Sequence, residues 1–369
     1  MAEYILFSNR PLLIVDCFAG KGKFDDGNDG SPLIILKNIM NTPSQYKNAR
    51  VLCAFIEKKY HKDLEANVAA YPVTGMFPSI KVFKGTFEEN IDNLIQKLDS
   101  NFNVFFYVDP YGYKSLDFSR FQRIKNKGFN SVEMLINFNT FGFLREGCRL
   151  LKIQEDELMF TGFDYEIDEN NDIDNMNSIA NGDYWKDILN DYQEGRIKAH
   201  EAEERFIISY MNRFKTLFKH TINIPIKLKT KNMPKYRLVF GTNYPDGILL
   251  MADKMSKVWE EIVLKEREGQ LSLFDFDYPG GFPSEEVISI IETELKLDGN
   301  YVELKSLLCL FIEKYGLPMA PRVVKGELKK MEQSGSIEVD RDPPFTPKTG
   351  KPTKSFDYDK YNIKVRIKP

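Results

Sequence analysis

Five short apolar runs punctuate the first 140 residues, and three of them end on an acid. Leu12-Leu13-Ile14-Val15 closes on Asp16, residues 50–57 close on Glu57, and the run from 103 stops at Asp109-Pro110. Residues 80–85 and 132–138 are the other two. Between the runs lie segments with helical character: one with Ser31 as N-cap and Pro32 as first helical residue, one over 58–70 and one over 87–98. Short buried strands alternating with helices predict an α/β domain built on a Rossmann-like, doubly wound parallel sheet. Ligands of such sheets lie beyond the carboxyl ends of the strands, so Asp16, Glu57 and Asp109 collect where a site is expected.

The string Asp16-Cys17-Phe18-Ala19-Gly20-Lys21-Gly22 follows the first strand. Glycine has no Cβ and tolerates positive φ, so a backbone turn here can approach a ligand closely. The third glycine of the dinucleotide fingerprint is missing at its usual spacing. The turn is either a nucleotide cradle or a tight connection without ligand. Glu57 stands where an acid accepts hydrogen bonds from ribose hydroxyls, or it is an exposed acid at a helix start. Asp109-Pro110-Tyr111-Gly112 can accept a hydrogen bond from a planar amino group and stack on its ring; a plain turn is the alternative. Orientation of the amine lone pair is the main gain such a turn offers. Asn137-Phe138-Asn139 either lines the same pocket or caps local backbone.

Net charge is −3, so any polyanion-binding surface must be local. No apolar run approaches the roughly 18 residues that span a bilayer, and Met1-Ala2-Glu3-Tyr4 is unlike a signal peptide. A cytoplasmic protein without membrane contact is expected. Cys17, Cys53, Cys148 and Cys309 form no CxxC pair and read as small core residues. With His61, His200 and His220 as the only histidines, no metal site is expected. Residues 154–204 are acidic and read as a solvated helical insertion, within a helical region of about 150–212. Residues 213–237 then carry eight basic residues and no acid, and either contact phosphates or balance the insertion. A strand over 236–243, a helix over 247–263 and a Gly/Pro/Phe-rich linker over 269–283 follow.

The tail, 284–369, suggests helices over 285–295, 302–314 and 322–333, then strands over 335–339 and 361–367. Three helices and a hairpin describe a winged helix. Its third helix carries Arg322, Lys325, Lys329 and Lys330, and its wing carries Lys348, Lys351 and Lys354. These are a nucleic-acid-binding face or the solvated face of a protein-contact module.

The strings IVDCFAGKGKFDDGNDGSPLI, FFYVDPYGYKSL, MLINFNTFGFLRE and YRLVFGTNYPDGILLMADKM, in this order, resemble the three-Cys-motif partner family. The tail is similar to the winged-helix domain often attached to it. The resemblance implies a class I S-adenosylmethionine-dependent methyltransferase domain over 1–268. Asp16, Phe18, Ala19, Gly20, Gly22 and Asp109 would contact the cofactor, with Glu57 on its ribose. Asp109, Pro110, Tyr111 and Gly112 would form the catalytic, target-side motif. That motif is similar to the Asp-Pro-Phe-Gly of tRNA N2-guanine dimethyltransferases, which implies a base amino group in nucleic acid as the methyl acceptor. A non-catalytic adaptor that binds S-adenosylmethionine, and contacts DNA or protein through the winged helix, is the alternative; methylation of a protein or small molecule is a third. The implied partners are DNA or RNA and a three-Cys-motif, radical-SAM-like protein. Family members carry a longer segment ahead of the first strand than the roughly ten residues here. Weaker cofactor binding, or completion of the pocket by another chain, is therefore expected.

Overall fold

Leu12–Asp16 forms β1 at the centre of a seven-stranded sheet, flanked on one side by β2 (Val51–Glu57) and on the other by β4 (Asn103–Val108). The computed structural model describes residues 10–41, 50–73, 79–153, 172–227, 234–267, 282–298, 300–346 and 349–368. They belong to two compact units, Met1–Asn243 and Tyr244–Pro369.

In the first unit β3 (Ser79–Lys84), β5 (Ser131–Phe138), β6 (His220–Lys227) and β7 (Pro234–Thr242) complete the order β3-β2-β1-β4-β5-β7-β6. Strands β1 to β5 run parallel, and β7 returns antiparallel between β5 and β6. This is the expected α/β, Rossmann-like doubly wound sheet, with an antiparallel edge. Between the strands lie α1 (Ser31–Met40), α2 (His61–Val68), α3 (Phe87–Gln96), α4 (Phe118–Asn126) and α5 (Thr140–Leu151). The central strands are apolar because helices cover both faces. Leu12, Cys53 and Phe55 pack with Leu33, Leu36 and Leu64 of α1 and α2. Leu13, Val15, Phe106, Met134 and Phe138 join the larger core on the opposite face. Thr86 starts α3 through a capping box with Glu89. All four cysteines are buried.

The insertion differs from expectation. Residues 154–171 lie outside the described part of the chain, but α6 (Ile173–Ala180), α7 (Tyr184–Gln193) and α8 (Ala199–Phe214) are not a solvated appendage. Trp185, Phe206 and Tyr210 are fully buried in the larger core. Phe206 stacks on Phe143 at 4.6 Å, and Tyr210 meets Phe138 edge-on at 4.9 Å. Phe206, Tyr210 and Phe214 recur every fourth residue, so one face of α8 is aromatic, while Glu201 and Glu204 are exposed and Glu203 is buried.

Two cations of the basic stretch have structural partners. Arg237 of β7 grips the buried Glu203 of α8, with its Nε 2.9 Å from Oε1, and Thr140 donates to the same oxygen at 2.7 Å. Arg213 donates to the carbonyls of Asn181 and Ser209 and lies 3.8 Å over the Tyr184 ring. For Arg237, then, the stretch balances the insertion.

The second unit contains α9 (Pro245–Arg267), α10 (Ser284–Asp298), β8 (Val302–Glu303), α11 (Leu304–Tyr315), a 3-10 turn (Leu317–Met319), α12 (Pro321–Ser334), β9 (Ile337–Asp342) and β10 (Asn362–Ile367). The three strands form an antiparallel sheet in the order β8-β10-β9. Helix α9 packs on α11 and α12, so the division falls before it, not after residue 268. Helix α9 buries Ile248, Leu249, Ala252 and Met255, and a stripe of acids adds polar contacts. Asp246 pairs with Lys305 at 2.7 Å, and Asp253 accepts the Arg322 backbone N–H at 2.9 Å. Residues 269–281 of the expected linker lie outside the described residues. Among the described residues no helix is long and apolar enough to cross a membrane.

Removing one member of a buried ion pair strands the other, which costs about 3–5 kcal/mol. Glu203→Ala is therefore expected to lower unfolding free energy by about that amount in urea denaturation. A loss below about 1 kcal/mol would show that Arg237 finds water or another acceptor.

Candidate functional site

The parallel strands deliver Asp16, Glu57 and Asp109 to one edge of the sheet, at the switch point between β1 and β4. Beyond β1 the chain stays pinned to both neighbours. The Cys17 N–H donates to the Tyr107 carbonyl at 2.9 Å, and the Ala19 N–H to the Ile56 carbonyl at 3.0 Å. The glycine turn then opens. Gly20 has φ +59°, and a Cβ there would meet no atom within 4 Å, so its backbone faces free space. Gly22 has φ +83°, and a Cβ would stand 3.1 Å from Leu64 Cδ1.

The missing third glycine is Gly30. Its N–H donates to the Gly22 carbonyl at 2.8 Å, and a Cβ on it would press on that carbonyl at 3.1 Å. Residues 23–29 are an excursion inserted between the second and third glycines, closed by the Phe24 N–H to the Asn28 carbonyl at 2.8 Å. Asn67 of α2 secures the turn by donating to the Lys21 carbonyl at 2.7 Å. Gly30 occupies the N-cap position of α1, where Ser31 was expected. Ser31 is instead the first helical residue, and its hydroxyl donates to Asp16 Oδ2 at 2.6 Å.

Asp16 is fully buried, and its Oδ1 accepts the Phe18 N–H at 3.2 Å. Burial pushes its carboxyl up to about 7; the bonds from Ser31 and Phe18 oppose the shift, and the charges of Asp109 and Glu57 add to it. The Phe18 ring leans away on Phe87 at 5.7 Å. Glu57 Oε1 accepts the N–H groups of Lys59 and Tyr60 at 2.7 and 2.9 Å, which fixes the turn into α2. Its Oε2 accepts no hydrogen bond among the described residues.

Asp109 is held from both sides. The Tyr107 hydroxyl donates to Oδ2 at 2.9 Å, and Asn137 Nδ2 to Oδ1 at 2.8 Å. Tyr107 lies two residues back on the same face of β4. The register Val108↔Ile136, continued by one step, sets Asn137 beside Asp109. Burial raises the Tyr107 phenol above its ordinary value, reinforced by the Asp109 charge, so it remains a donor. Asn137 Oδ1 is buried without a hydrogen-bond partner among the described residues. Asn139, by contrast, caps α5 by accepting the Gly142 N–H at 2.7 Å. Pro110 is buried, Tyr111 is 91% exposed, and Gly112 has φ +102°, which only glycine adopts readily.

Ser31, Tyr107 and Gly30 escaped sequence reasoning. For Tyr107 the signal was its two-residue spacing from Asp109; for Gly30 it was a glycine directly before Ser31-Pro32.

The four cations of α12 lie in the second unit. The Arg322 guanidinium pairs with Glu260 and reaches Ser256 Oγ at 3.3 Å. Lys325 Nζ sits 4.9 Å over the Tyr358 ring, and Lys330 Nζ bonds Glu327 at 2.8 Å. Lys329 is exposed. Of the expected wing lysines, Lys351 and Lys354 are exposed and Lys348 lies outside the described residues.

No family model matches the chain, and no curated protein matches it. Among solved structures, it is similar to a protein assigned as an O-methyltransferase from Klebsiella pneumoniae, with TM-score 0.32 and 6% identity over 66% of this chain and 78% of that one. It is also similar to one assigned as an rRNA methylase from Clostridium thermocellum, with TM-score 0.31 and 10% identity over 66% and 93% of the two chains. One assigned as a zinc-dependent alcohol dehydrogenase from Rhodobacter sphaeroides gives TM-score 0.26 and 10% identity over 65% and 88%. These likenesses concern the fold alone.

The folded Asp16 carboxyl keeps its proton where the unfolded one has lost it. Its contribution to stability is complete at low pH and is lost as pH rises through about 7. From about pH 5 to 8, Asp16→Asn is expected to show a shallower fall in thermal midpoint than the parent chain. Glu133, also pushed up to about 7 by burial, leaves part of the slope in the variant. Identical slopes in the two proteins would mean that Asp16 is ionised throughout.

Proposed function

We propose that this chain is an S-adenosylmethionine-dependent methyltransferase whose acceptor is a base amino group in nucleic acid. The observation that carries the proposal is the convergence of Asp16, Glu57 and Asp109 around an open glycine turn at the switch point of the sheet. Glycine turn and acids fit a nucleoside with a cationic amino-acid tail. Gly20 leaves space for the ligand to approach backbone, Glu57 Oε2 fits a ribose hydroxyl, and the acids fit positive charge. The motif resemblance to three-Cys-motif partner proteins supports the same assignment, as does the order helix, strand, two helices and hairpin of 284–369, which supports a winged helix there. A cytoplasmic location and a radical-SAM-like partner bearing three cysteines belong to this proposal.

S-adenosylmethionine supplies an activated methyl on a sulfonium. The chain's task is to position the acceptor. A carboxylate offers about four lone-pair positions, of which Tyr107 and Asn137 use two on Asp109. Asp109 can therefore still accept an N–H from the target amine while its own orientation stays fixed. With S-adenosylmethionine bound, Asp109 would hold the amine with its lone pair toward the methyl, and the amine proton would pass to solvent after transfer. Tyr111, exposed beside a glycine hinge, offers a ring face to the base. A base within a duplex must first leave the stack.

A second reading keeps the cofactor and drops catalysis: an adaptor that binds S-adenosylmethionine and uses its second unit for protein contact. Its support is the internal pairing of Arg322 and Lys330.

Calorimetric titration with S-adenosylmethionine is expected to show one-site binding. Asp109→Ala is expected to retain that binding and to lose at least about 100-fold in labelled-methyl transfer to total nucleic acid, since positioning is its role. Unchanged turnover would remove Asp109 from the mechanism. Binding with no transfer by the parent chain would select the adaptor, and no binding at all would end both readings.

A further inference from the structure

In a helix-turn-helix the recognition helix must present free cations to nucleic acid. Helix α12 does not. Asp246, Asp253 and Glu260 recur every seventh residue along α9 and form one acidic stripe. Asp253 takes the Arg322 backbone N–H and Glu260 its guanidinium, while Asp246 takes Lys305 of α11. Lys305 and Lys325 both lie over the Tyr358 ring, at 5.6 and 4.9 Å. With Lys330 on Glu327, Arg322, Lys325 and Lys330 each have a contact within their own unit.

The loop between β9 and β10 is the opposite case. From Pro343 to Phe356 it contains no acid. Its base is rigid: Arg341 forks onto Glu332 with two bonds of 2.7 Å, donates to the Ser355 carbonyl at 3.0 Å, and lies over the Phe356 ring. Its outer part is a small hairpin. Thr353 N–H donates to the Pro344 carbonyl at 2.9 Å, Thr346 N–H to the Lys351 carbonyl at 2.8 Å, and Gly350 N–H to the Thr346 carbonyl at 2.9 Å. This frame presents Phe345, 54% exposed, together with exposed Lys351 and Lys354. Neither lysine has an ion-pair partner among the described residues. Exposed aromatics that stack bases, set among cations that follow the backbone, are the surface that single-stranded nucleic acid needs.

We infer that the second unit binds single-stranded nucleic acid through Phe345, Lys351 and Lys354 of this loop, and not through helix α12. The inference rests on the reading of nucleic acid as the acceptor, and moves the docking surface away from the helix that motif logic favours. Charge complementarity selects the occupant: a stretch with lysines and no acid fits a polyanion. The exposed ring selects unpaired bases, whose faces a duplex hides.

The test is fluorescence anisotropy of the full chain with a labelled single strand of about 15 nucleotides, across a salt series. The pair Lys351→Glu and Lys354→Glu is expected to weaken binding at least tenfold, and to flatten the log–log salt dependence by about 1.4, the effect of two lost phosphate contacts on a single strand. Phe345→Ala is expected to weaken binding at least about fivefold with the salt dependence unchanged. Lys329→Glu on α12 is expected to bind as the parent does. All four positions are exposed, so thermal midpoints should stay within the parent's range. Parent-like binding by the loop variants would overturn the inference. So would an equal loss in Lys329→Glu, or tighter binding of a duplex of the same sequence. Calorimetry with S-adenosylmethionine on the same preparations separates the two proposals. Cofactor binding without oligonucleotide binding would overturn the loop surface alone; loop-dependent oligonucleotide binding without cofactor binding would support the surface and remove methyl transfer.

Discussion

A carboxyl buried at the switch point of the sheet must be satisfied from within the chain, because water does not reach it. Asp16 solves this with two bonds, one to the Phe18 amide and one to the Ser31 hydroxyl. The first curls the backbone immediately after β1. The second brings the start of α1 back to the strand end after the excursion of residues 17–30. With both in place, Gly22 and Gly30 meet backbone to backbone, and a Cβ at position 30 would crowd the Gly22 carbonyl at 3.1 Å. The open backbone at Gly20 is left over from this closure.

Element positions were legible because they depend on local pattern. Runs such as Leu12–Asp16 and 103–108 are apolar on both faces, which a parallel central strand requires and little else does. Partners across long separations were not legible. Arg237 meets Glu203 from 34 residues away, and Arg322 meets Asp253 from 69 away. A count of charges along 154–204 makes that segment look solvated, yet the aromatic spacing of α8 already implied a buried face. Composition averaged over a window hides which side of a helix each residue occupies. The same averaging hides that Arg322 of α12 is answered by acids on α9.

The Asp109 turn shows the intermediate case. Its motif was readable, and its support was partly readable. Tyr107 shares a strand face with Asp109, and Asn137 ends the neighbouring strand, so both follow from register once strand order is known. Strand order depends on tertiary packing, which no single run of residues encodes. The pairing matters chemically because a carboxylate held from two sides keeps one orientation, and orientation is the main contribution such a group makes to an amine acceptor.

The acid cluster also bears on which ligand the edge prefers. Asp16 is held near the midpoint of its titration by burial, and the charges of Glu57 and Asp109 add to the cost of ionising it. A cationic ligand at this edge offsets that cost, so its binding is linked to proton release from Asp16. A neutral thioether product offers no such compensation. Under the proposed function, the same three carboxyls would favour a sulfonium over its demethylated product. This preference needs no contact beyond those that already hold β1 to α1 and β4 to β5.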